Sequence, residues 1–230
     1  MEIQILGAGA FSSALVKLKP GEQLVSEAGA FFRGSSNVDI DVSTYAKSKK
    51  SGGLSAGLKR ALAQESFFLS KYTCNDANDG EVGLAPKMQG EIAVIDCDGS
   101  SGWLCTGGSY LASTSGLEID TQFQGLKGFL TGESLSFISV TGQGQLLVNA
   151  FGHINQIEVD GALTVDTGHV VAFQDTLDYK LGKAASSWLH SFLTSERVVL
   201  KFKGTGKIYL QGYNPDEFGH SLGPLLPYRK

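Results

Sequence analysis

The chain has 230 residues, of which 18% are charged and 42% hydrophobic, and this is the composition of a folded globular protein. Its net charge of −4 argues against a nucleic-acid-binding surface, which needs an excess of lysine and arginine. No apolar run approaches the length of a transmembrane helix, and the N-terminus lacks a signal-peptide pattern. We therefore expect a cytoplasmic protein with no transmembrane segment and no nucleic-acid partner.

The first candidate motif in chain order is the glycine-rich stretch 7–12, which imitates a dinucleotide-binding loop. Serine stands at Ser12 where the motif needs its third glycine, and Pro20-Gly21 would cut the following helix short. The stretch is therefore interpreted as a turn, and no cofactor is expected.

Three kinds of segment recur in the same order along the chain. Two strands around a glycine-containing turn are indicated at 16–28, 88–96 and 154–165. A glycine, bulky residues, a polar turn and an apolar/acidic alternation occur at 29–42, 108–121 and 168–181, and this alternation is typical of a half-buried strand. The pattern L-x-x-x-L-x-x-E, which predicts a short capping helical turn before a strand, occurs at 58–65, 126–133 and 189–196.

The ordered recurrence predicts an all-β protein of three tandem β-sandwich units with short capping helices. We predict one compact domain divided into repeat 1 (1–75), repeat 2 (76–142) and repeat 3 (143–230), the last ending in an irregular arm from Tyr213. Each unit buries too little surface alone, and three units still leave two exposed flanks. Closure into a ring of several chains would cover both flanks.

Four ordered motifs, at 26–30, 57–69, 147–152 and 166–173, resemble the altered-inheritance-of-mitochondria type family, and the resemblance spans essentially the whole chain. It implies a fold similar to the tryptophan RNA-binding attenuation protein, a short variant of the double-stranded β-helix, with three repeats per chain. It also implies a homotrimer that imitates the nine-fold ring of that protein. It implies no catalytic residues, and the RNA-binding and tryptophan-binding functions do not transfer with the fold.

Two groups of residues are the candidate functional sites. The first is a polar cluster in repeat 3, which could belong to a hydrolase or hold a metal: Asn149, His153, Asp166 and His169. Asp166-Thr167-Gly168 matches the aspartic-protease triplet, but the second triplet that this chemistry needs is absent. The second group is a basic patch that could dock an acidic partner: Lys47, Lys49, Lys50, Lys59 and Arg60.

No strong catalytic or metal-binding motif is present. Cys74, Cys97 and Cys105 are odd in number and lack zinc spacing, so they are interpreted as reduced thiols of a reducing compartment. The favoured prediction is a non-enzymatic, ring-forming scaffold or binding module that acts on an unknown protein partner. The first alternative is a small-molecule sensor with its ligand between β-units. A hydrolase or metal-dependent enzyme around Asp166 and His169 is the second.

Overall fold

The computed structural model describes residues 1–7, 9–44, 68–127, 134–183 and 198–227, and these residues form an almost entirely β structure. Within these ranges no helix is long and apolar enough to cross a membrane. The described strands are β1 (Glu2–Leu6), β2 (Ser13–Leu18), β3 (Gln23–Glu27), β4 (Phe31–Gly34), β5 (Val38–Thr44), β6 (Phe68–Cys74), β7 (Gly80–Leu84), β8 (Ile92–Asp98), β9 (Trp103–Thr106), β10 (Tyr110–Thr114), β11 (Leu117–Lys127), β12 (Ser134–Asn149), β13 (Ile154–Asp166), β14 (Val170–Gln174), β15 (Asp178–Lys183) and β16 (Val198–Gln211).

The strands form two antiparallel hydrogen-bonded networks. The smaller is a four-stranded sheet in the order β1-β2-β7-β4. The larger runs β13-β16-β14-β9-β12-β10-β3-β6-β5, with β8 and β11 also paired to β12 and β15 also paired to β16. The long strands β12 and β16 change partners along their length. The first half of β12 pairs with β9 and β11 and its second half with β8 and β10, whereas β16 pairs with β13 throughout, with β15 in its first half and with β14 in its second.

One pairing pattern recurs three times. The second half of β16 lies between β13 and β14, the second half of β12 lies between β8 and β10, and β7 lies between β2 and β4. In each set one outer strand carries a register shift: β4 at Phe31/Arg33, β10 at Tyr110/Ala112 and β14 at Val170/Ala172. These matching irregularities define which residues are equivalent between repeats.

The pairing favours repeat boundaries different from those predicted. It places β7 with β2 and β4, although the predicted boundary at residue 75 separates them. The predicted boundary at residue 142 falls inside β12. We propose that the repeats meet instead in the connections before β8 and before β13, and we use the sets β2–β7, β8–β12 and β13–β16 as repeats 1, 2 and 3 below.

The core consists of three clusters of buried apolar side chains spread along the repeats. Aromatic rings dominate the third, where Phe173 packs edge-on against Phe137, Tyr179 and Phe202 at centroid distances of 5.4, 5.0 and 5.0 Å. Such edge-to-face packing adds to the burial of the rings themselves. Phe137 belongs to repeat 2 and Phe173 to repeat 3, so this core is shared between units.

The structure bears to different extents on three further predictions, which concern the capping segments, the C-terminal arm and the cysteines. The capping segments 58–65 and 189–196 lie outside the described residues, and the third begins in strand, because β11 runs through Leu126 and Lys127. The arm after Tyr213 is not irregular throughout. Pro215–Leu222 forms helix α1, since Asn214 caps its first amides and proline is well suited to the first turn. Cys74, Cys97 and Cys105 are buried and free.

Candidate interaction surfaces

Each of the four residues of the predicted polar cluster has a partner outside the cluster. The buried Asn149 amide donates to Gly108 O at 3.1 Å, and its Oδ1 has no hydrogen-bond partner among the described residues. The His153 ring is 72% exposed, and its Nδ1 lies 2.7 Å from a Glu91 carboxylate oxygen. Asn149 is thus placed as a structural clamp, and His153 as a surface residue.

Asp166 and His169 lie in the turn between β13 and β14. The Asp166 carboxylate accepts from Gly168 N at 2.9 Å and caps a short 3₁₀ turn, as the sequence pattern of a turn aspartate suggests. His169 Nδ1 lies 2.9 Å from Gln211 O. Gln211 donates its side-chain amide to Gly168 O at 2.8 Å and accepts from Phe151 N at 2.8 Å. Gln211, which the sequence analysis missed, therefore ties this turn to the end of repeat 2.

The same described residues contain no group of three or more histidine, cysteine, aspartate or glutamate side chains placed to hold a metal ion. The predicted basic patch lies at 47–60, outside the described residues.

The repeats are joined to each other by strand pairing. β10 of repeat 2 pairs with β3 of repeat 1 in the register Ala112↔Ser26 and Thr114↔Leu24. β14 of repeat 3 pairs with β9 of repeat 2 in the corresponding register, Ala172↔Cys105 and Gln174↔Trp103. Repeats 2 and 3 thus each add one strand, β10 and β14, to the edge of the repeat before them. All four residues 110–113 of β10 and 170–173 of β14 are buried as a result.

The strand β4 of repeat 1 is the equivalent of β10 and β14, but no described strand pairs with its outer edge. Among the described strands β4 pairs only with β7, and all four of its residues are exposed. Phe32 is 51% exposed, whereas Leu111 and Val171 at the equivalent position are fully buried. An exposed strand edge carrying apolar side chains is a template for pairing with another chain.

The complementary edge lies at the other end of the molecule, on the second half of β13. This half pairs only with β16 among the described strands, through Leu163↔Phe202 and Val165↔Leu200. It is the repeat-3 equivalent of β3 and β9. Thr164 is exposed, whereas the equivalent Leu104 of β9 is buried under β14. The two strands that would form a third joint of this kind are therefore both present, β4 in repeat 1 and the second half of β13 in repeat 3, but they do not pair with each other within the chain.

The connections that precede each repeat form a second ladder between units. Ser12 N donates to Gly90 O at 3.1 Å, and the equivalent Glu91 N donates to Gly152 O at 2.9 Å. His153 is the next residue of this series, and Phe11 is the repeat-1 equivalent of Gly90 and Gly152. The Phe11 side chain is 73% exposed. This ladder, like the strand pairing, stops at the two ends of the chain.

A polar cleft of about 320 Å³ lies between repeats 2 and 3. β8 forms one wall, and side chains of β13, β14 and β16 form the other: Gln156, Gln174, Lys207 and Tyr209. The Tyr209 hydroxyl donates to Gln156 Oε1 at 2.7 Å, and the Gln174 amide donates to Ser101 Oγ at 2.9 Å. The cleft therefore has a fixed network of hydrogen-bonding groups on its repeat-3 side.

The ionisable groups of the cleft are split between carboxylates, an ammonium and a neutral thiol. Hydrogen bonds from the Ser100 hydroxyl and amide lower the pKa of Asp98, with Lys207 contributing a smaller favourable charge, so Asp98 is an anion at neutral pH. Burial, together with the charges of Asp96 and Asp98, raises the pKa of the Cys97 thiol to about 11. Cys97 is consequently protonated at neutral pH, which makes it a poor nucleophile.

Comparison with known proteins gives a family and a fold. An uncharacterized protein of Streptococcus pyogenes serotype M6 is 29% identical over 216 residues, which are 92% of this chain and 86% of that protein. The X-ray crystal structure of a Streptococcus pyogenes protein, solved in a structural genomics programme, superposes with a TM-score of 0.78 at 28% identity and covers 98% of this chain and 99% of that one. The family model described as mitochondrial biogenesis AIM24 matches residues 3–213. The chain therefore belongs to the mitochondrial biogenesis AIM24 family.

Proposed function

We propose that the protein is a non-enzymatic, cytoplasmic scaffold that closes head to tail into a homotrimeric ring and acts through the protein surfaces of that ring. The observation that carries this proposal is the difference between β4 and its equivalents. Residues of β10 and β14 are buried because each is paired to the preceding repeat, whereas β4 is exposed. The second half of β13 is the edge that β4 of another copy would meet.

The internal register predicts the contact between copies. The pairs Ala112↔Ser26 and Ala172↔Cys105 have the equivalent pair Arg33↔Val165. The ladder of hydrogen bonds between successive connections predicts a further bond, from His153 N of one copy to Phe11 O of the next. Both contacts run in the same direction, from repeat 3 of one copy to repeat 1 of another. A head-to-tail contact of this kind closes into a ring when its rotation permits and otherwise builds a filament.

The proposal is tested by the substitution Phe32→Lys with native mass spectrometry and light scattering. Wild-type protein is expected at 3 × 24.4 = 73.2 kDa. Phe32→Lys is expected at the 24.4 kDa of one chain, because the lysine would have to be buried without a partner in the contact. The monomer should remain folded, since Phe32 is already exposed in the single chain.

The matched control is Val42→Lys, which places the same charge at a 63% exposed apolar position on β5. This variant should assemble like wild type. A wild-type protein that is monomeric at micromolar concentration would refute ring formation, and so would a Phe32→Lys variant that assembles normally. A trimer that carries a defined additional mass would favour the sensor alternative.

A further inference from the structure

No described strand pairs with the outer edge of β8, whereas the equivalent edge of β2 in repeat 1 is paired. β8 pairs only with β12 among the described strands. Its equivalent β2 is paired on one side with β7 and on the other with β1. Ala14 lies opposite Leu84, and Ala93 lies opposite the equivalent Val148, so Val16 corresponds to Ile95 and Lys17 to Asp96. The described part of repeat 2 therefore contains no strand equivalent to β1.

The cleft between repeats 2 and 3 corresponds to the place that β1 occupies between repeats 1 and 2. Ile3 and Ile5 of β1 pack against a core cluster that contains Leu147 of repeat 2, and Val94 of repeat 2 packs against the same cluster. The repeat-3 equivalents of Val94 and Leu147 are Gln156 and Tyr209, because both are placed by their pairing with β16. Gln156 and Tyr209 line the cleft opposite β8. One repeat further along, the position of β1 is therefore an open groove.

The edge strand of this groove, β8, carries negative charge where its equivalent β2 carries the positive charge of Lys17. Glu2 of β1 lies opposite Lys17 of β2, and their charged atoms are 3.7 Å apart. Asp96 stands at the position of Lys17, and Asp98 follows it on the same face of β8. A strand added to β8 would therefore need a lysine or arginine where β1 has glutamate, since like charges directly opposite are destabilising.

We propose that β8 binds an extended, basic peptide segment of a partner protein, which adds to its free edge as an antiparallel strand. Main-chain hydrogen bonds to β8 provide affinity in this mode of recognition, and alternate side chains provide specificity. One face of the peptide meets Asp96 and Asp98, and the other meets Gln156 and Tyr209. The proposal names a partner chemistry for the proposed scaffold, but it uses a junction inside one chain and does not require ring closure.

The probe is a fluorescein-labelled, N-acetylated peptide with the sequence of residues 1–7 and the change Glu2→Lys. Fluorescence anisotropy with the full-length protein should show saturable binding. The peptide that keeps Glu2 should bind roughly threefold to tenfold more weakly, because a cross-strand charge pair and its reversal differ by about 1 kcal/mol. In the Asp96→Lys protein this preference should reverse. Glu118→Lys, an exposed charge reversal on β11 of the same repeat, should leave the preference unchanged.

Hydrogen exchange identifies the edge that the peptide occupies. New protection is expected at amides of β8. Protection at β2 instead would mean that the peptide displaces β1, and it would overturn the proposal. Absence of saturable binding up to about 1 mM, or a preference that Asp96→Lys does not alter, would overturn it as well. The monomeric Phe32→Lys variant should bind the peptide like wild type, so failure of ring closure and failure of this site are distinguishable.

Discussion

Asn149 and Gln211 occupy the same position in successive repeats and make the same contact. Asn149 donates to Gly108 O at the turn before β10, and Gln211 donates to Gly168 O at the turn before β14. In repeat 1 the equivalent residue is Ala85, which has no such side chain. These amides hold the turns from which the joining strands start. The predicted polar cluster is thus better explained, at Asn149, by support of a turn than by chemistry.

The contribution of this clamp is measurable at Gln211. Gln211→Ala removes a donor to Gly168 O and an acceptor for Phe151 N, and it leaves both backbone groups without a partner in a half-buried site. The free energy of unfolding should fall by about 1–3 kcal/mol. Urea denaturation of the variant measures this change, with Gln4→Ala, an exposed glutamine on β1, as the control. A loss no larger than that of the control would contradict the clamp.

At the scale of elements, the connections before β8 and β13 need glycine because their two backbone segments approach each other closely. Gly90 and Gly152 form a parallel bridge, and a Cβ on Gly90 would lie 1.7 Å from Ala150 O. Side-chain patterns give no sign of this constraint. The sequence analysis placed Gly90 in a predicted hairpin at 88–96, and it did not anticipate that the two connections hydrogen-bond to one another.

Gly90→Ala should destabilise the protein, by about 1–3 kcal/mol or more, because the clash is with backbone that cannot rotate away. The control is Gly219→Ala in α1, where a Cβ meets nothing within 4 Å and alanine favours the helix. Thermal unfolding of the two variants should shift in opposite directions. Equal midpoints would mean that the bridge yields easily and is not a fixed joint between repeats.

The strand content was predictable from sequence, but the pairing partners were not. Alternation such as Val38–Val42 predicted β5, and the structure has a strand at Val38–Thr44. The predicted repeat boundaries, by contrast, separated β6 from β7, because sequence similarity shows that segments recur and not which neighbour each one joins. Phe31 and Phe32 also read as ordinary core residues until the pairing shows β4 at an open edge. Composition could not reveal that edge, since its equivalents in the other repeats are equally apolar and are buried.

At the scale of the whole molecule, a protein made of directional repeats has two different ends. Each joint pairs β10 or β14 with a non-equivalent strand of the preceding repeat, β3 or β9, so identical ends that meet face to face cannot reproduce it. Only a head-to-tail contact continues the pattern. In the proposed ring the number of copies depends on the rotation per repeat, and the two internal joints predict the register of the contact between copies.

That register makes a cross-linking prediction. A double variant, Arg33→Cys with Val165→Cys, should form disulfide-linked oligomers under mild oxidation, because directly opposed residues of antiparallel strands have Cβ atoms about 4.5–5.5 Å apart. The three native thiols are buried and should not compete. The control pairs Arg33→Cys with Leu163→Cys, two residues out of register, and should cross-link far less on non-reducing gels. A closed ring would give a covalent ladder that ends at three chains, whereas a ladder extending beyond three chains would indicate a filament. Equal cross-linking in both variants would show that the contact between copies does not repeat the internal joint.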